Sequence, residues 1–307
     1  MKKQVNFGIL LAVIACILWG VAGPVSQFLL QKAAIPVTWL LGMKMMLTAV
    51  ILLPIAAYCD PQNWLKIWQH PLDILRLIFY AAVGLAGVQF TYLLTVQSSD
   101  AATTTILQTL HTVLIIFYVA IFCHQHPSRQ EWLAVFCALI GTWLLVTRGA
   151  LTQLSISPST VLFGTGLIFT DAALTLAPMK LIERYSPLTV LGWGMLIAGT
   201  FSQIIQPAWK STPHFSLLSL LALLFVAFGG TALSYLLYLQ SLKHITPTMA
   251  SLLDTLEPLT ATLGTVLFMN VNFNLVQFIG AGLILSTVFI LALGHQVKRS
   301  IDHSFEA

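Results

Sequence analysis

The sequence predicts an all-α membrane protein of ten transmembrane helices, arranged as two inverted five-helix repeats. Composition is the first observation behind this. Of the 307 residues 58% are hydrophobic and 8% charged, where a soluble domain carries about 25% charged residues. The second is that apolar runs of roughly 20 residues, the length that crosses a bilayer core of about 30 Å, recur along the whole chain between short polar turns. The third is an internal repeat: residues 87–98 read GVQFTYLLTVQS and residues 230–241 read GTALSYLLYLQS.

The first span covers 7–30. It follows Met1-Lys2-Lys3 in the manner of a signal peptide, but its apolar run continues through Trp19-Gly20 to Leu30 without a small-residue cleavage site, so it reads as retained. Pro36 opens the second span (36–58), which carries Lys44 inside it. The third (74–96) holds Gly84, Gly87 and Tyr92; these glycines suit close helix approach. Gln108 and His111 lie in the fourth (101–123), and the fifth is 130–148. A polar loop, Arg148 to Ser159, divides the chain into halves of 1–153 and 154–307. The sixth span (160–182) has Asp171 midway, and the seventh (187–206) opens on Pro187 and contains Trp193. Gly229, Gly230, Tyr235 and Tyr238 fall in the eighth (216–241). The ninth (247–269) carries Asp254, Glu257 and Pro258, and the tenth is 274–294.

The repeat orders these spans. Gly87 aligns with Gly230, Tyr92 with Tyr235, and Leu107-Gln-Thr-Leu-His111 with Leu253-Asp-Thr-Leu-Glu257 after a short insertion in the second copy. Pro24 matches Pro178, and Ile35-Pro36-Val-Thr38 matches Ser186-Pro187-Leu-Thr189. Five spans per half is an odd number, so the second half enters the membrane from the opposite side. With the N-terminus inside, Lys2, Lys3, Lys66, Arg76, Arg129, Lys180, Arg184, Lys243, Lys298 and Arg299 are cytoplasmic, against Lys32, Arg148 and Lys210 outside. That bias satisfies the positive-inside rule and puts both termini of a multi-pass plasma (inner) membrane protein in the cytoplasm.

Several function classes fall away. There is no P-loop for ATP-driven pumping by this chain, no HExxH and no GxSxG, which argues against an enzyme. The four cysteines lack CxxC spacing and read as small core hydrophobes, so neither a metal nor another cofactor is expected. A scattered net charge of +4 does not suggest nucleic acid.

Spans three to five and eight to ten resemble the EamA repeat of the drug/metabolite transporter superfamily. The second copy is the fuller match, through Gly229-Gly-Thr-Ala-Leu-Ser-Tyr235, Ala250 to Glu257-Pro258, and Gln277-Phe-Ile-Gly280; the first adds Leu18-Trp19-Gly20 and Lys44. The resemblance implies a carrier of small metabolites, amino acids, amines or drugs, often an exporter and often proton-coupled. This chain departs from the family pattern at His111-Thr112, where a Pro-containing pair is usual, and near Gln125 and Val271, where a Glu is common.

The buried charges are the candidate site. Glu257 lies about 15 Å deep, where insertion of an acid costs about 2.5–3.5 kcal/mol, so it is paired, protonated or facing water. Asp254 stands one turn before it on the same face, and Pro258 removes the N–H that would otherwise engage the Asp254 carbonyl. Gln108 and His111 repeat this spacing in span four. His111 and Glu257 are therefore expected to share a coupling proton, against the alternative of a neutral His on a backbone carbonyl. Lys44 is expected to pair with Asp171 or, equally, with Glu257. Trp19, Tyr92 and Tyr235 complete a candidate solute pathway with Gln108, His111, Asp171, Asp254 and Glu257. The expected function is secondary active transport of a small organic solute across the lipid bilayer, either export of an amino acid or related metabolite, or uptake of a cationic amine held by acids and aromatic faces. A passive channel and an intramembrane enzyme are the competing classes.

Overall fold

The computed structural model describes residues 2–122, 128–147, 157–205, 207–210, 213–254 and 256–269, with short pieces between 275 and 290. All of its regular elements are helical. Helix α1 (Lys2–Gln27) runs into a π-helical turn, Phe28–Lys32; α2 is Val37–Cys59. Helices α3 (Pro71–Phe79) and α4 (Val88–Ser98) are one continuous rod joined by a π-helical stretch, Tyr80–Gly87. Helices α5 (Ala101–Gln108), α6 (His111–Phe122) and α7 (Arg129–Thr147) come next. After them follow α8 (Pro158–Leu176), α9 (Met179–Ile182) and α10 (Pro187–Ile205). Then α11 (Leu217–Ala227) continues through a π segment, Phe228–Leu233, into α12 (Ser234–Ser241), and the described helices end with α13 (Pro247–Leu253) and α14 (Leu256–Met269).

Local signals explain these starts. Ser157, Ser186 and Ser216 each accept the backbone N–H three residues on (Thr160, Thr189 and Ser219), and Asp100 does the same for Thr103. Each side chain satisfies one of the donors that a helix N-terminus leaves unpaired. Proline opens α3, α8, α10 and α13, where its missing N–H costs nothing.

Six stretches are long and apolar enough to cross a membrane: Gln4–Lys32, Val37–Cys59, Pro71–Ser98, Pro158–Ile182, Pro187–Ile204 and Leu217–Ser241. They match expected spans one, two, three, six, seven and eight, with the third starting at Pro71. Spans four and nine differ from expectation: each is two helices, α5 with α6 and α13 with α14. Most of the expected tenth span lies outside the described residues.

Helix α1 packs on α12 and α14, while α8 packs on α4, α5 and α6. Helix α2 lies along α10; α2 also meets the second long π segment, and α10 the first. The fully buried interior includes Leu40, Met45, Tyr80, Leu85, Leu93, Leu167 and Met195. Outward-facing positions are apolar too: Val50, Leu162, Phe169, Ile204 and Leu217 are all exposed. An apolar exterior of this kind needs lipid around it, not water.

Polar latches close the helix ends. Asp73, wholly buried, meets Arg76 at 2.9 Å and Arg184 at 3.2 Å and accepts from the Tyr185 hydroxyl at 3.0 Å, tying the start of α3 to the loop before α10. Trp193 donates its indole N–H to the Trp64 carbonyl at 2.9 Å and stacks on the Trp64 ring. Near the start of α2, Trp39 donates likewise to Ala208 at 3.1 Å.

Candidate functional site

The two helix breaks create the site. In the first, the imidazole Nδ1 of His111 lies 2.7 Å from the carbonyl oxygen of Gln108. That carbonyl would otherwise accept from the Thr112 N–H in a regular α-helix; instead Thr112 N–H reaches Thr109 and Leu110 N–H reaches Leu107, both tighter i to i+3 contacts. In the second, Pro258 has no N–H to continue the ladder. The expected free carbonyl on Asp254 is not free: the Glu257 N–H takes it at 2.9 Å, an i to i+3 contact. The breaks touch, since the Thr112 hydroxyl donates to the Ser251 carbonyl at 2.9 Å. His111 and Glu257 thus stand at helix N-termini and Gln108 and Asp254 at helix C-terminal ends.

A cavity of about 450 Å³, part of it open, lies beside these breaks among α1, α2, α4, α5, α14 and the π segment before α12. Glu257 from α14 and Lys44 from α2 put an acidic and a basic side chain on its walls, with Gln89, Gln108, Trp19, Tyr92 and Tyr235 around them. Trp19 meets the Tyr235 ring edge-on at 4.9 Å. The Trp19 indole N–H, the Tyr92 hydroxyl and the Gln108 side-chain oxygen are buried without a hydrogen-bond partner. A buried polar atom left unpaired is expensive, and three residues lining one cavity each carry such an atom. The walls come this close because of glycine. A Cβ on Gly230 would stand 2.4 Å from the Cβ of Ala22, and one on Gly23 would stand 2.8 Å from the Tyr92 hydroxyl.

Behind the cavity wall is a second polar group. His111 lies 3.0 Å from Asp171 through Nδ1 and 3.5 Å from Asp254 through Nε2. Asp254 also accepts from the Cys16 thiol at 3.2 Å and the Tyr238 hydroxyl at 3.1 Å, and Tyr238 is bonded in turn to Thr175 at 2.7 Å.

Two expected pairings are corrected here. Lys44 does not pair with Asp171: its ammonium donates to the Gln89 side chain, because α2 faces α4 while Asp171 faces His111 across α8 and α6. Lys44 and Glu257 share the cavity, with no ion pair between them among the described residues. His111 likewise meets Asp171 and Asp254, not Glu257, since Asp254 just beyond α13 faces the imidazole while Glu257, one turn on in α14, lines the cavity. Trp19, Tyr92, Gln108, Tyr235 and Glu257 line one cavity; His111, Asp171 and Asp254 form the adjoining cluster. Sequence reading missed Gln89, Cys16 and the hydrogen bonds of Tyr238. Cys16 had a signal, since it shares a helix face with Trp19, Gly20 and Gly23.

With that geometry in place, comparison with known proteins decides the family. The model of the EamA-like transporter family matches residues 6–147 and 158–293. The chain belongs to the EamA-like transporter family. Its relatives include the uncharacterized inner membrane transporter YicL of Salmonella typhimurium, 33% identical over 93% of this chain and 95% of that one. The uncharacterized transporter YwfM of Bacillus subtilis is 22% identical over 97% of each, and protein PecM of Dickeya dadantii 25% over 80% of each. A crystal structure of a protein 15% identical in sequence superposes with a TM-score of 0.72, over 93% of this chain and 96% of that one, and shares the fold. The chain is accordingly a multi-pass inner membrane transporter. This EamA-like assignment points away from an enzyme.

Proposed function

We propose that this EamA-like protein is a secondary active transporter of a small zwitterionic solute, an amino acid or related metabolite, working by alternating access and in the direction of export. One observation carries the reading: Glu257 and Lys44, both buried, line one partly open cavity at two broken helices, among unpartnered polar atoms. Carriers place their solute near the midplane, at breaks in discontinuous helices. A solute ammonium would face Glu257 and the Gln108 oxygen, and a solute carboxylate would face Lys44 and the Trp19 and Tyr92 donors. Pairing both charges offsets the cost of burying them.

Ten spans in two inverted halves, 1–153 and 154–307 with both termini cytoplasmic, are part of the same proposal. Several features support it. The two family-model matches fall one on each half. The packing of α1 on α12 and α14 is mirrored by that of α8 on α4, α5 and α6. Gly87 and Gly230 occupy equivalent positions, and a Cβ on either would strike the opening helix of the other half, at Thr170 (2.9 Å) and Ala22 (2.4 Å). Rocking of such halves opens a shared cavity to each side in turn.

A cationic amine is the second reading, favoured by Glu257 beside the Trp19–Tyr235 aromatic pair. Thermal unfolding of the purified chain against single amino acids and choline separates the two, because a ligand held only by the folded state at 100 times its Kd adds about 2.7 kcal/mol. The zwitterion reading predicts stabilisation by amino acids that is lost in both Glu257→Gln and Lys44→Met. Stabilisation by choline that survives Lys44→Met would reverse the choice.

A further inference from the structure

We propose that His111, held between Asp171 and Asp254, is a proton-binding site separate from the solute cavity and joined to it by Gln108. The inference rests on the transporter reading only for its role in coupling; the proton site itself stands on geometry. His111 Nδ1 donates to the Gln108 carbonyl oxygen at 2.7 Å, which accepts only. In the neutral ring Nε2 would then carry a bare lone pair. That lone pair would point toward Asp254 Oδ2, 3.5 Å away. Asp254 already accepts on both oxygens, from Tyr238 on Oδ2 and Cys16 on Oδ1, which is the pattern of an ionised carboxylate. Two acceptors facing one another in a dry interior are costly, and His111 Nε2 has no other hydrogen-bond partner. A proton on Nε2 removes the conflict and makes the ring an imidazolium flanked by two carboxylates.

Every neighbouring element contributes. Helix α1 presents Cys16, α8 presents Asp171, α12 presents Tyr238, and the second helix break presents Asp254. Helix α14 carries Glu257 one turn further on, α4 carries Tyr92 on the cavity wall, and α7, packed on α5, carries Cys137. No lysine or arginine pairs with either aspartate among the described residues, so the proton on His111 is the cluster's cation. Without it, Asp171 and Asp254 would repel across a neutral ring, and the two helix breaks that His111 now holds together would be driven apart.

Gln108 connects this site to the solute. Its carbonyl holds His111, its side-chain amide bonds Asp171, and the residue lines the cavity with its side-chain oxygen unpartnered. A solute that engages that oxygen therefore acts on the residue that positions two of the cluster's three members, His111 and Asp171. Trp19 gives a second link, lining the cavity while its ring lies 5.1 Å from that of Tyr238.

The test is histidine-selective 15N solid-state NMR of the full chain in lipid nanodiscs at about pH 8, where ordinary histidines are neutral. The expected spectrum contains one imidazolium, absent in His111→Gln, converted to a neutral ring in Asp254→Asn, and unchanged in Glu257→Gln. A wild-type spectrum with every ring neutral overturns the proposal, as does an imidazolium that Asp254→Asn leaves untouched. Loss of the signal in Glu257→Gln would merge the proton site with the cavity and equally overturn it. If His111→Gln does not fold, through-space correlation of the charged ring with the Asp254 carboxyl carbon makes the assignment in wild type. Transport plays no part in this readout, so an imidazolium in a protein that moves no solute would refute the transporter reading alone.

Discussion

Gly20→Ala should damage the site more than any change of one methyl group on the surface of the protein. A Cβ at position 20 would lie 1.8 Å from Thr260 Oγ1, 2.6 Å from Thr260 Cβ and 2.7 Å from the Glu257 carbonyl oxygen, where ordinary contact starts at 3.4 Å. Thr260 has little freedom to give way, because its hydroxyl donates to the Leu256 and Glu257 carbonyls at 2.8 and 3.0 Å. Rotating it away loses those bonds and still leaves the backbone oxygen, which requires α1 to retreat by about 0.7 Å. Overpacking of this kind costs about 1–3 kcal/mol, a factor of roughly 5–150 in the folded ratio. Reversible unfolding of the purified variant in mixed micelles measures that loss directly. Thr260→Ala in the same chain should restore only part of it, since the contacts at 2.6 and 2.7 Å remain. Wild-type stability in Gly20→Ala, or full recovery in the double variant, would refute the close approach of α1 to α14 at Glu257.

Two further predictions concern the helix ends. Tyr185→Phe removes the hydroxyl that donates to buried Asp73 and should cost about 1.5–3 kcal/mol, read from the same unfolding curves. Burial first, and then the Asp73 carboxylate, push the Tyr185 hydroxyl above its ordinary value. Its contribution is therefore complete below the unfolded value of about 10 and lost as pH rises through the higher folded one. The gap in melting temperature between wild type and Tyr185→Phe should accordingly narrow above about pH 10, and a constant gap would contradict the bond. Ala34, in the connection from α1 to α2, has φ of 52°, a left-handed conformation that favours glycine. Ala34→Gly should stabilise the protein by up to about 1 kcal/mol, whereas a loss of stability would mean that the strain is absent.

Much of this was legible in the sequence, and what was missed has physical causes. Apolar run length located six spans because a bilayer sets that length regardless of neighbours. It could not show the breaks in spans four and nine, since hydropathy is blind to where a backbone carbonyl is claimed by a side chain. His111 taking the carbonyl of Gln108 is such an event, and no proline marks it. Buried charge in an apolar run did single out Glu257, Asp254, Asp171, His111 and Lys44, because the cost of placing charge in lipid makes each conspicuous. Their pairing was illegible. Lys44 meets Gln89, and His111 meets Asp171 and Asp254, because of how α2 and α8 are rotated about their own axes, which run length does not encode. Gln89 and Cys16 were passed over because neutral residues carry no such penalty.

Counterflow in proteoliposomes is the most direct measurement of the central claim. Vesicles loaded with an unlabelled mixture of the common amino acids and diluted into a trace of the same mixture labelled with 14C should accumulate label transiently and saturably. Only alternating access at one site gives such exchange without a net driving force. Wild-type protein should show the overshoot, and Glu257→Gln, folded to the same yield, should lose it. Label that merely equilibrates, or an overshoot that survives in Glu257→Gln, would contradict the placement of a carrier site at the broken helices.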